Sequence, residues 1–179
     1  MITLEALTPE AREKFTLLLA RCEHRGDELR PYCAVRDPFA QARLWRQSRT
    51  AGEIATECTR LRAAGAPRIA ACIESVGPQH GKWATNAVPG LSWHQHGEAM
   101  DCFLMLSGRA VWDASLHGYQ AFVTEALGLG LTPGAKFRTP DTNHVQLRKD
   151  EPHYLYEIAR IDNMMAARFP QFAALGKGA

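Results

Sequence analysis

The run Ala99-Met100-Asp101-Cys102-Phe103-Leu104-Met105-Leu106 sets a single carboxylate inside an otherwise apolar segment. It reads as a strand despite its Met and Leu content. A buried carboxylate is costly unless it is paired or bound to a metal, so any fold must give Asp101 a partner. On a strand, Asp101 shares its face with Phe103 and Met105, while Met100, Cys102 and Leu104 point the other way. Just upstream, Ser92-Trp93-His94-Gln95-His96-Gly97-Glu98 supplies two imidazoles. Gly97 allows a turn through which His94 can fold back towards Asp101.

A second segment, Pro140-Asp141-Thr142-Asn143-His144-Val145-Gln146-Leu147-Arg148, alternates polar and apolar residues from His144 onward. As a strand it turns Val145 and Leu147 to the core and His144, Gln146 and Arg148 to the opposite face. If this strand neighbours the first, His144 and Asp101 can meet. Two imidazoles and one carboxylate suit zinc, although other divalent ions can occupy such sites. Three protein ligands with an open fourth position are the catalytic zinc pattern, in which the pKa of bound water falls to about 7. Hydrolysis then needs a carboxylate to take and return a proton. Asp141 is the candidate, and it requires a bend between Asp141 and Asn143. His96 forms an H-x-H pair with His94; it is expected to line the groove or contact substrate.

The first segment resembles the S-x-H-x-x-G-x-A-x-D motif of the D-Ala-D-Ala carboxypeptidase family of zinc peptidases, and residues 85–91 look like its lead-in. Asp141 and His144 look like the family's acidic-x-x-His element. Arg36, Gln41, Leu44 and Trp45 are similar to its R-x-x-x-x-Q-x-x-L-[YW] segment. Chain size, the short Asp-x-x-His and the His-Val-Gln ending look most like L-alanyl-D-glutamate endopeptidases, which include phage endolysins and bacterial autolysins. The resemblance implies a hedgehog/DD-peptidase-like α+β fold: a small, mainly antiparallel sheet flanked by helices, with a zinc cleft on one face. It implies Zn2+ held by His94, Asp101 and His144, and Asp141 as general base and later general acid. It implies that Arg36 orients the substrate or stabilises the oxyanion, and that Ser92 supports the site by hydrogen bonding. The expected substrate is the peptidoglycan stem peptide. Alternatives are a D,D-carboxypeptidase or D-Ala-D-Ala dipeptidase with the same site, and, in another class, a non-catalytic zinc-stabilised wall- or protein-binding module. Residues 65–84 depart from the family's pattern. Residues 169–179 are too few for a wall-binding domain, so 1–179 is expected to be one catalytic domain.

Composition narrows the rest. A chain of 179 residues can bury a core of ordinary size. With 46% hydrophobic and 22% charged residues, wholesale disorder is excluded. No apolar run approaches the roughly 20 residues of a membrane span. The start, Met1 to Leu7, lacks the basic and apolar regions of a signal peptide. The expectation is a monomer that is cytoplasmic on synthesis and reaches the wall after release or non-classical export. A net charge of +2 does not argue for a nucleic-acid partner. Five widely spaced cysteines without C-x-x-C argue against a disulfide framework and predict small, mostly buried thiols.

Helices are predicted from Thr8-Pro9 to about Arg25, from Pro38 through Trp45, from Gly52 or Glu53 to Ala64, and over residues 67–76. A further helix is capped by Asp113 and carries Leu116, Tyr119, Val123 and Leu127 on one face. A last one opens at Pro152 with Leu155, Ile158, Ile161 and Met165 on one face. Residues 32–35 are predicted as a short strand. Residues 77–90 are predicted as an irregular loop, and residues 134–140 as turns.

Overall fold

A computed structural model describes residues 2–176; Met1 and residues 177–179, the end of the tail read above, lie outside it. The chain forms two compact units: Met1–Val35 with His96–Lys149, and Arg36–Gln95 with Asp150–Ala179.

The first unit is an antiparallel sheet with helices. Helix α1, Pro9–His24, starts as its sequence dictates: Thr8 caps it and Pro9 occupies the first turn. The strands are β1 (Glu28–Cys33), β2 (Ala99–Leu106), β3 (Arg109–Val111), β4 (Thr132–Pro133) and β5 (His144–Gln146). Their order is β1-β2-β5-β4, with β3 also on β2, and every pairing is antiparallel. Alternation along β2 sends Met100, Cys102 and Leu104 into a core with Phe15, Leu18 and Cys22 of α1. Tyr119 and Phe122 of α6 (His117–Gly128) and Val145 of β5 complete that layer. Each large apolar side chain buried there contributes about 1.5–3 kcal/mol. Asp101 and Phe103 therefore sit on the opposite face of β2, as the alternation predicts. The fold class is α+β with a small antiparallel sheet flanked by helices.

The second unit is helical: α2 (Pro38–Arg46), α3 (Ala51–Ala63), α4 (Pro67–Ser75), α7 (Pro152–Leu155), α8 (Ile158–Arg168) and α9 (Pro170–Ala173). Asp37 caps α2 through Phe39 N and Ala40 N, and Thr50 and Glu53 form a capping box on α3. Trp45, Leu61, Ile69, Ile73, Ile161 and Phe172 fill its core. Asp162 is buried there; its Oδ1 accepts from Ile69 N at 2.8 Å, and Arg68 Nη1 donates to Oδ2 at 2.9 Å. Residues 77–90 hold no helix or strand.

Three predicted elements differ from the sequence reading. The first strand spans Glu28–Cys33 rather than residues 32–35, because Leu29 alone of Glu28, Leu29 and Arg30 faces the core and the alternation is faint. Pro31 is tolerated because β1 lies at the sheet's edge. Asp113 does not cap α6; its Oδ1 accepts from Ser115 N and Oγ in a local turn, and Leu116 is the cap residue. The buried face of α6 is Tyr119, Phe122 and Ala126, while Leu127 is half exposed. The last predicted helix is two, because Tyr156 and Glu157 are extended between α7 and α8.

Candidate metal centre

In the first unit, Asp101 and His144 are register partners across β2 and β5. Both are buried, at 5% and 7% exposure, and His144 Nδ1 lies 2.9 Å from Asp101 Oδ1. The pairing is reinforced where Cys102 N donates to Asn143 O at 2.9 Å. The second imidazole nitrogen, Nε2, is 3.1 Å from Gln146 Oε1. Gln146 Nε2 in turn donates to the carbonyl of Arg148 at 2.7 Å, which leaves Oε1 as an acceptor. His144 Nε2 must therefore carry the proton. In the neutral ring Nδ1 then presents a lone pair to a carboxylate oxygen, and two acceptors at 2.9 Å need a cation or a proton between them.

That arrangement fits a metal. The donor set is an imidazole nitrogen and a carboxylate oxygen, and the remaining ring N–H is fixed by a carbonyl oxygen, as metal-ligating histidines require. Sequence reasoning placed Gln146 on the right face but gave it no task. The signal available was its i+2 position from His144 on one strand face. Cys33, opposite Asp101 in β1, was also passed over; its Sγ lies within 4.8 Å of an Asp101 carboxylate oxygen.

Asp141 is exposed, and the required bend is present. His144 N donates to Asp141 O at 3.2 Å, and Asp141 N donates to Gly134 O at 3.0 Å. Gly134 underlies this turn, where a Cβ would stand 2.4 Å from Asp141 O and 2.9 Å from His144 Cβ. Beside it, the Asn143 side chain stands near the Tyr32 hydroxyl, and its buried Oδ1 has no hydrogen-bond partner among the described residues. Burial raises the pKa of that phenol, and the Asp101 and Asp141 carboxylates raise it further. His96, where this unit resumes along the sequence, is buried and ends α5, Trp93–His96. Gly97 follows with φ +73°, making the turn into β2 that the sequence suggested.

In the second unit, Arg36 is held by buried glutamines. Its Nη1 donates to Gln41 Oε1 at 3.0 Å, the same oxygen that accepts from Gln95 Nε2 at 3.1 Å. Gln41 Nε2 donates to Ala87 O at 2.8 Å, and Gln95 Oε1 accepts from Gly90 N and Ser92 N. Both glutamines have no exposed surface. His94 lies on α5, 2% exposed, and its carbonyl accepts from Arg36 N at 3.4 Å. Ser92 precedes α5, and its carbonyl accepts from Gln95 N at 3.0 Å. Trp93 is buried with its Nε1–H on Asp150 O, so it packs rather than lining a surface. Asp37, the neighbour of Arg36, caps α2 through Phe39 N and Ala40 N. Gln41 was singled out in the sequence, but its hold on Arg36 was not; Gln95 was missed, because a buried amide inside a His-rich segment has no periodic signal.

Residues 4–124 match the family model VanY, D-alanyl-D-alanine carboxypeptidase. No curated protein matches the chain. Among solved structures, it is similar to the Serratia marcescens L-Ala D-Glu endopeptidase ChiX, at 17% identity over 81% of this chain and 83% of that one, with a TM-score of 0.40. The family match takes in Arg36, His94 and Asp101; Asp141 and His144 lie beyond it, and the β2–β5 register is what sets His144 beside Asp101. With well over half its length in that match, the chain belongs to the VanY, D-alanyl-D-alanine carboxypeptidase, family of peptidoglycan peptidases.

Proposed function

We propose that the protein is a zinc-dependent endopeptidase that cuts the L-alanyl-D-glutamate bond of the peptidoglycan stem peptide. The observation that carries the metal is the 2.9 Å approach of His144 Nδ1 to Asp101 Oδ1, with the ring's other nitrogen committed to Gln146. His94 is the third ligand in this reading. Zinc, when bound, acts as a Lewis acid that activates water and polarises the scissile carbonyl. Asp101 and His144 hold the ion, and Gln146 keeps His144 in the ligating tautomer. Asp141, exposed on its turn, accepts the proton of the attacking water and returns it to the leaving amine. Arg36, fixed by Gln41, orients the substrate or steadies the developing oxyanion. Ser92 and His96 have supporting parts. The protein acts as a monomer in this reading.

The choice of bond rests on the short Asp141-x-x-His144 spacing and the His-Val-Gln sequence at residues 144–146. The description of the matching family favours a second reading, removal of terminal D-Ala by the same site. Digestion of purified peptidoglycan with zinc-loaded protein, followed by mass spectrometry, separates them. New N-terminal D-glutamate ends establish the endopeptidase, and free D-Ala the carboxypeptidase. Absence of both products, with zinc bound, turns the protein into a wall-binding module.

A further inference from the structure

The sheet face that carries Asp101 also carries a cluster of three aromatic rings, two of them exposed. Phe103 lies two residues along β2 from Asp101 and so projects on the same side, about 7 Å further on. Tyr32 stacks on it at 6.3 Å between centroids, with the planes 28° apart. Trp112, just beyond β3, meets Tyr32 edge-on at 4.9 Å and Phe103 at 5.5 Å. Tyr32 is the extra residue where the β1–β2 register slips between Pro31 and Cys33, and this bulge adds its ring to the face. Trp112 is 51% exposed and Tyr32 38%. Packing does not require these rings, since the core of this unit lies on the other face of β2. The cluster adjoins the candidate centre: Cys33, the residue after Tyr32, is the register partner of Asp101.

We propose that Tyr32, Phe103 and Trp112 form a platform for the sugar ring that bears the stem peptide, an N-acetylmuramyl group. The inference rests on the endopeptidase reading. In an L-alanyl-D-glutamate cut, only one alanine and a lactyl ether separate the scissile bond from the sugar. A terminal D-Ala lies several residues further away. A platform beginning one β-repeat from Asp101 is at the distance the first geometry needs. Flat, weakly polar aromatic faces suit the C–H face of a pyranose, and an indole N–H at the rim can reach its hydroxyls. The surface thus selects for peptide still attached to glycan.

The test uses the full chain without metal and measures binding, not cleavage. N-acetylmuramyl-L-alanine and N-acetyl-L-alanine are titrated calorimetrically into the wild type, Trp112→Ala and Trp112→Phe. The expected result is that the wild type prefers the muramyl ligand, that Trp112→Ala weakens its binding about tenfold, and that Trp112→Phe restores most of it. Equal affinity of all three proteins for the muramyl ligand, or no preference for it in the wild type, overturns the platform. Failure of the endopeptidase reading would show separately, as a wall digest without new D-glutamate ends, because sugar binding here is read without any bond being cut.

Discussion

His144 and Asp101 face each other twice: as register partners in antiparallel strands, and through Nδ1 and Oδ1 at 2.9 Å. The backbone pairing fixes the side-chain pairing, so the ligand geometry is built into the sheet rather than into a loop. Asp141 hangs from the same strand by a turn and is exposed. Ligand and proton carrier are therefore separable. Asp141→Ala is expected to keep the fold and full zinc stoichiometry while losing activity about 100-fold or more. His144→Ala is expected to lose zinc. Metal content by emission spectroscopy beside turnover of a defined stem peptide checks both; full activity in Asp141→Ala removes it from the mechanism.

Gln146 sets the tautomer of His144 through the 3.1 Å contact at Nε2. Gln146→Leu keeps the volume and removes the acceptor. Zinc affinity should fall about 10- to 100-fold, the usual cost of losing such an orienting partner. Competition with a chromophoric chelator measures this directly, and an unchanged affinity would mean that packing alone orients the ring.

Gln41 holds Arg36 in the second unit, and one oxygen serves both Arg36 and Gln95. Gln41→Leu strands these donors and the Ala87 carbonyl, so it should cost about 1–3 kcal/mol of stability. Turnover should drop about 10- to 100-fold, because the guanidinium is no longer positioned, and bound zinc should stay constant. Gln41→Glu keeps an acceptor for Arg36 and should recover part of the turnover. Kinetics identical to wild type in Gln41→Leu would show that Arg36 needs no such support.

The parts of the fold that could be read in advance are those governed by short-range rules. Thr8-Pro9 and Pro38 open helices that start where they should, and the alternation along Ala99–Leu106 put Asp101 on the face away from the core. The pairing of His144 with Asp101 was stated only as a condition, because strand neighbourhood is set by long-range packing that one sequence does not display. Gln95 and Cys33 acquire their partners through that pairing or through burial, so nothing local marks them, and Gln146 is marked only by its i+2 place beside His144 on one strand face. The β1 strand was misplaced for the related reason that most of its residues are not buried, leaving its alternation weak. Asp113 shows the reverse error: a residue type that caps helices serves equally in a turn.

Gly134 lies directly under the Asp141–His144 turn. A methyl group there meets Asp141 O at 2.4 Å and His144 Cβ at 2.9 Å, and backbone cannot yield as a flexible side chain would. Gly134→Ala should therefore destabilise the protein by about 1–3 kcal/mol and lower zinc affinity together. Gly52, inside α3 with nothing within 4 Å of an added Cβ, is the contrasting site. Gly52→Ala should stabilise by up to about 1 kcal/mol and leave zinc binding alone. Thermal unfolding and metal titration of the two variants, side by side, separate a turn that shapes the site from a general effect of added methyl groups. Equal Tm values for the pair would refute the close packing at Gly134.

Cysteine reactivity reports on the centre from another side. Cys22, Cys58, Cys72 and Cys102 are buried, and burial pushes the thiols of Cys22 and Cys72 up to about 12 and raises those of Cys58 and Cys102 as well. Burial thus withholds the thiolate, the form that attacks a disulfide reagent, at these four positions. Cys33 is only partly buried. The native protein should therefore show one fast thiol towards an aromatic disulfide, lost in Cys33→Ser, and all five on unfolding. Because Cys33 Sγ lies within 4.8 Å of Asp101, zinc held by Asp101 should slow that one thiol by screening it. Two or more fast thiols in the folded protein would contradict the burial of the other four. A Cys33 rate indifferent to zinc would place the ion away from Asp101, and with it the proposed ligand set.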